Sequence, residues 1–125
     1  LQVAKYYYDT GNIAATKAAL LWVVEKSTDE GYQSIAKLRL SGVLAEEGSF
    51  AEAIKLLNSS FAAGFQALAL DRKGDIFVLQ GQNAEAVSAY NEAYKLSDDR
   101  TEYRRLIEVK LNSLGVNPMA DTPAQ

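Results

Sequence analysis

Asp71 and Asp75 stand four residues apart in the run ALDRKGD, on one side of any helix that carries them. Two carboxylates so placed could share a proton, as an acid–base pair does, or hold a cation between them. The competing reading is a solvated or groove-lining acidic face, with Arg72 and Lys73 beside it. Glu46-Glu47 reads as the polar end of a helix. The chain has no histidine and no cysteine, which removes Ser-His-Asp and Cys-His nucleophiles, thiolate zinc sites and disulfides. Its eight glycines are dispersed rather than gathered in a phosphate-binding loop, and no Asp-x-Asp-x-Asp-Gly run occurs. The expectation is a chain with no catalytic residue, no cofactor and no metal, and not an enzyme.

Aromatic residues are the other candidates for contact with a ligand. Tyr6, Tyr7 and Tyr8 are consecutive, so on a helix they point in different directions. Tyr7 and Trp22 are expected to pack in the core of the first repeat. Tyr8 is the candidate for a binding surface, with core packing as its alternative. The formal net charge is −3 and no face gathers Lys and Arg, so the electrostatic footprint of nucleic-acid binding is missing.

The elements that must position these residues are helices. Both prolines fall in the last eight residues, strand-like alternation is missing, and Ala, Leu, Glu and Lys dominate. At 125 residues one domain is expected over residues 1–116. Breaks at Gly11-Asn12, Ser27 to Gly31, Gly48-Ser49, Gly64, Gly81-Gln82 and Ser97 to Arg100 predict about seven helices of roughly ten to eighteen residues. Ser27 with Glu30, Ser49 with Glu52 and Asp99 with Glu102 match the capping-box spacing.

An internal repeat organises the helices. GSFAEAIKLL from Gly48 returns as GQNAEAVSAY from Gly81, thirty-three residues later. Each glycine suits a helix end at positive φ, and Ala53 and Ala86, five residues on, suit the close crossing of two antiparallel helices. In this register Leu57 falls on Tyr90, Leu44 on Phe77 and Leu40-Ser41 on Lys73-Gly74. A degenerate first copy puts Gly11 in the glycine slot and Thr16 at the crossing. Residues 100–114 read as a helix covering the last hairpin, with Tyr103, Leu106, Ile107, Leu111 and Leu114 as one apolar stripe. The tail 117–125 is expected to be disordered.

The spacing of Leu70, Gly74, Phe77, Ala86, Tyr90 and Ala93 resembles the tetratricopeptide repeat, a helix–turn–helix unit of about 34 residues. Asp98 replaces that repeat's closing proline, Lys73 a common leucine and Thr16 the first crossing residue. The resemblance implies an all-α, right-handed stack of about three antiparallel helical hairpins with a C-terminal capping helix. Its first helices would line a groove for a peptide or protein. Carried over by register, the lining is Lys5, Tyr8, Leu38, Gly42, Ala45, Glu46, Asp71, Asp75 and Val78. This mixture of apolar and acidic residues is expected to favour apolar segments flanked by basic residues.

Over residues 1–116 the chain is also similar to the periplasmic domain of YfgM-like ancillary subunits of the bacterial Sec translocon. The residues carrying this are Thr28-Asp29-Glu30, Leu38-Arg39-Leu40, Ala69 to Gly74 leading to Gly81, and Lys110-Leu111-Asn112-Ser113-Leu114. That resemblance implies a single-pass anchor ahead of Leu1 and a place at the periplasmic face of the inner membrane. It also implies SecYEG and a PpiD-like chaperone as partners, with a role in the trafficking or folding of secreted proteins. The alternatives are a tetratricopeptide scaffold in another envelope or cytoplasmic assembly, and an enzyme built on the acidic pair.

Overall fold

The computed structural model describes residues 12–97 and 101–118. Among them are six α-helices and no strand: α1 (Ile13–Lys26), α2 (Glu30–Glu46), α3 (Phe50–Leu57), α4 (Gln66–Leu79), α5 (Asn83–Lys95) and α6 (Thr101–Ser113). A single 3-10 turn, Ala63–Phe65, precedes α4. None of the described helices is long and apolar enough to cross a membrane. The chain divides into two compact units, Leu1–Phe65 and Gln66–Gln125.

The repeated glycines end helices as their positions require. Gly48 and Gly81 have φ of 82° and 74°. Gly48 N–H donates to Ala45 O at 3.0 Å and Ser49 N–H to Leu44 O at 2.8 Å, the paired bonds of a Schellman closure. Gly81 to Val78 and Gln82 to Phe77 repeat them at 3.0 and 2.8 Å. A third closure, unannounced by the repeat, follows α6: Gly115 has φ 84°, and Gly115 and Val116 donate to Asn112 and Leu111. Leu44, Phe77 and Leu111 therefore hold one structural place.

In the first unit α2 packs against α1 on one side and α3 on the other. Ala36 and Ala53 are fully buried, with Leu20, Leu40, Leu44 and Leu57 nearly so. Thr16, at the crossing position of the degenerate copy, is 2% exposed, and its hydroxyl donates to Asn12 O at 3.1 Å. That internal bond lets a β-branched polar residue stand where the other copies have alanine. Gly11, Tyr6, Tyr7 and Tyr8 lie outside the described residues. In the second unit Ala86, Tyr90, Ala93, Ile107 and Leu111 form a buried cluster, flanked by Leu70, Phe77 and Tyr103.

Three local expectations need correction. The start of α2 is capped by Asp29, whose Oδ1 accepts Tyr32 N–H at 3.0 Å, while Ser27 closes α1 and supports the turn by accepting Asp29 N–H. Ser49 makes no side-chain cap bond, and Asp99 lies outside the described residues. The second helix of the Gly48 copy stops at Leu57 rather than near Gly64, giving eight residues in α3 against thirteen in α5. Trp22 is 62% exposed, because the buried line of α1 runs through Thr16 and Leu20 and Trp22 lies about 200° around from Leu20. Of the tail, Asn117 is exposed and Pro118 buried, and residues 119–125 lie outside the described set.

Candidate functional site

The acidic pair is closed from within its own unit. Asp71 and Asp75 leave α4 one turn apart, and α6 brings Lys110 to both. The Lys110 ammonium donates to Asp71 Oδ1 at 2.8 Å and to Asp75 Oδ2 at 3.2 Å. Tyr103, two turns before Lys110 on α6, donates its hydroxyl to Asp71 Oδ2 at 2.9 Å. Tyr90 of α5 donates to Asp75 Oδ1 at 2.6 Å. An ammonium thus occupies the place where a shared proton or a bound cation would sit.

Burial sets how much this network matters. Asp71 is 3% exposed, so its charge is tolerable only because both oxygens are met by donors. The side chain of Asp75 keeps 40% of its surface and that of Lys110 25%. Burial pushes the Tyr90 hydroxyl well above its ordinary pKa, reinforced by the hydrogen bond to Asp75 and by both carboxylate charges. Tyr103 is raised in the same way, by burial first and then by the charge and hydrogen bond of Asp71. For Lys110 burial acts downward, but the bonds and charges of Asp71 and Asp75 outweigh it and the ammonium is held above its ordinary value.

These three shifts share a sign. Each group holds its proton more firmly folded than unfolded, so its contribution is whole below the ordinary value, 10.0 for tyrosine and 10.5 for lysine, and is lost as pH climbs through the folded value. The second unit is therefore expected to keep its stability up to about pH 10 and to lose it steeply above. Tyrosinate absorbance should show two tyrosines ionising only together with unfolding. Smooth ionisation of every tyrosine, with no loss of helix, would contradict the network.

The candidate lining residues fall into two sets, one in each unit. In the first unit Leu38, Gly42, Ala45 and Glu46 share a side of α2, with Gly42 and Glu46 exposed and Leu38 and Ala45 half-buried. In the second unit Val78 is 39% exposed. Asp71 is not a surface residue, since α6 covers it, and Asp75 is partly committed to Lys110 and Tyr90. Lys5 and Tyr8 lie outside the described residues. Charge reversal at Asp71 and Asp75 would consequently strike the packing of α6 and cannot serve as a clean test of binding.

Two exposed apolar residues of α6 were missed. Leu106, expected in the buried stripe, is 48% exposed, and Val109 is 64% exposed. The inward line of α6 runs through Tyr103, Ile107, Lys110 and Leu111, and a residue one position before Ile107 is rotated about 100° away from it. Because Lys110 reaches Asp75, the exposed Val109 beside it and Val78, three residues after Asp75, occupy neighbouring helices joined by that bridge. The available signal was a lysine at two-turn spacing from a tyrosine within an otherwise apolar stripe.

Paired antiparallel helices, glycine closures in one register and alanines at the crossings are the marks of a helical-repeat protein. The model of the tetratricopeptide repeat-like domain family matches residues 1–116, and the chain belongs to that family. No curated protein and no solved structure matches it. Domains of this family are protein-interaction scaffolds, generally without catalytic activity of their own.

Proposed function

We propose that the chain is a protein-binding domain whose contact surface in the second unit is the exposed apolar set Val78, Leu106 and Val109. The carrying observation is that these side chains remain in water although the adjoining carboxylates are neutralised from inside. Exposed apolar side chains on helices joined by an ion pair favour a partner that covers them. The internal pairing of Asp71 also weakens the expected preference for basic flanks, which in the second unit would rest on Asp75 alone. The preferred guest on this surface is an apolar segment.

The finer reading is that the domain is the periplasmic part of a membrane-anchored ancillary subunit of the Sec translocon. There it would meet SecYEG and a PpiD-like chaperone and assist secreted chains. Its support is the order of the quoted segments from Thr28 to Leu114, together with membership of a protein-binding family. A photoreactive amino acid at Val109, introduced into the natural full-length protein in intact cells, tests both levels. Crosslinks to translocon subunits or a membrane chaperone are expected. Crosslinks confined to a different envelope or cytoplasmic assembly would favour the general scaffold reading. No crosslink at Val109 or Val78, with efficient labelling elsewhere on the domain, would remove this surface.

A further inference from the structure

The early stop of α3 leaves a recess in the first unit. In the repeat register Leu57 corresponds to Tyr90 and Ser60 to Ala93, so α5 continues as helix where the first unit turns into a loop. Two side chains of α2 hold that loop: Ser34 Oγ accepts Ala62 N–H at 2.9 Å, and Lys37 Nζ donates to Ser60 O at 2.6 Å. Lys37 also stands 5.3 Å from the centre of the Phe61 ring. Between helix and loop lies a recess of about 220 Å³, lined on the helix side by Glu30, Gln33, Ser34 and Lys37 and on the loop side by Phe61 and its neighbours.

The polar groups along this recess are ordered by charge. Gln33 donates through Nε2 to Val24 O at 3.1 Å and to Ser27 O at 2.8 Å. Two carbonyl acceptors on one nitrogen fix which end of the amide is which, so the Gln33 oxygen is an oriented acceptor. Among the described residues no donor meets that oxygen or the Glu30 carboxylate. Lys37 has three N–H groups, and Ser60 takes one. Residues 30, 33 and 37 share a side of α2 over two turns, about 10.5 Å. Along α2 the lining residues thus carry a carboxylate, an amide and an ammonium, with the half-buried Phe61 on the loop side.

We propose that this recess binds an α-ammonium group together with the carbonyl or carboxylate next to it, as presented by the first residue of a polypeptide or by a free α-amino acid. Glu30 and the Gln33 oxygen accept from the ammonium, Lys37 donates to the neighbouring oxygen, and the guest's side chain lies against Phe61. Charge-assisted bonds at both ends select this arrangement over a neutral amide. The site is separate from the surface of Val78, Leu106 and Val109 and does not depend on what that surface binds.

The test is titration of the isotopically labelled 125-residue chain, followed by amide NMR shifts, with L-phenylalaninamide, L-phenylalanine, the tripeptide Phe-Gly-Gly and N-acetyl-L-phenylalaninamide. The first three are expected to shift the amides of Gln33, Lys37 and Ala62 at millimolar concentration, and the acetylated compound is not. Glu30→Gln, which touches none of the loop's bonds, is expected to weaken L-phenylalaninamide about tenfold. Stronger binding of Phe-Gly-Gly than of phenylalanine identifies a polypeptide terminus as the guest, and the reverse order identifies a free amino acid. Equal response to the acetylated compound, silence of all four probes, or an unchanged affinity in Glu30→Gln would overturn the proposal.

Discussion

Replacing Lys110 by methionine is expected to lower the stability of the second unit by about 2–4 kcal/mol. Removing one member of a fully buried ion pair costs about 3–5 kcal/mol, because the remaining charge is left without a partner. Lys110 keeps a quarter of its side-chain surface, so some water can reach the vacated place and the figure is lowered accordingly. Asp71 has no such access, and Tyr103 alone would face its full charge. The decisive companion is Asp71→Asn in the same chain, which removes the stranded charge yet keeps an acceptor for Tyr103. That double variant is expected to recover at least half of the loss. Amide hydrogen exchange across α4 to α6 gives the unit's own stability without assuming that both units unfold together. Exchange unchanged by Lys110→Met would mean that the ion pair contributes nothing.

The second large effect is expected at Gly74. A Cβ added there would stand 2.5 Å from Cε1 of Tyr90, closer than carbon atoms can approach. The ring cannot simply swing aside, since it is 3% exposed and its hydroxyl is held by Asp75. Overfilling a packed core costs about 1–3 kcal/mol, and losing the tyrosine's bond adds about 1. Alanine's better helix propensity returns about 1 kcal/mol, so Gly74→Ala should be destabilising by roughly 2 kcal/mol. In a Tyr90→Leu background the same substitution should be nearly neutral. The matching positions of the first unit already combine Ser41 with Leu57, both buried. Equal losses in the two backgrounds would show that the Gly74–Tyr90 contact is not the cause.

The parts of this fold that were legible in the sequence are those fixed by local chemistry. Gly48 and Gly81 mark helix ends because positive φ is open to glycine and costly for other residues. Ala53 and Ala86 mark crossings because only a small side chain lets two helix backbones approach, and both are fully buried. The readings that failed needed information from outside the helix. Nothing inside FAEAIKLL announces that its helix ends at Leu57, since the loop is held in place by Ser34 and Lys37 of α2.

The acidic pair illustrates the same division at the candidate site. The four-residue spacing correctly placed Asp71 and Asp75 on one side of α4. Their closure depends on Lys110, thirty-nine and thirty-five residues away, and on Tyr90 and Tyr103. Sequence periodicity reports which side of a helix a residue takes and is silent about which helix comes to meet it. For the same reason Leu106 was read as buried, although it shares α6 with the fully buried Ile107.

The matched glycine closures at Gly48 and Gly81, set against the unmatched interiors, limit how this chain can be recombined. Both turns have φ within ten degrees of each other and the same two bonds, so a crossover that exchanges only the turn leaves the backbone path intact. A crossover at the turn that carries one flanking helix across would seat Tyr90 against Ser41, or leave Leu57 facing Gly74. The first is a collision and the second a void. Gene duplication could therefore have spread whole hairpins through such a chain, whereas half-hairpin exchange between diverged copies would be eliminated at the folding step.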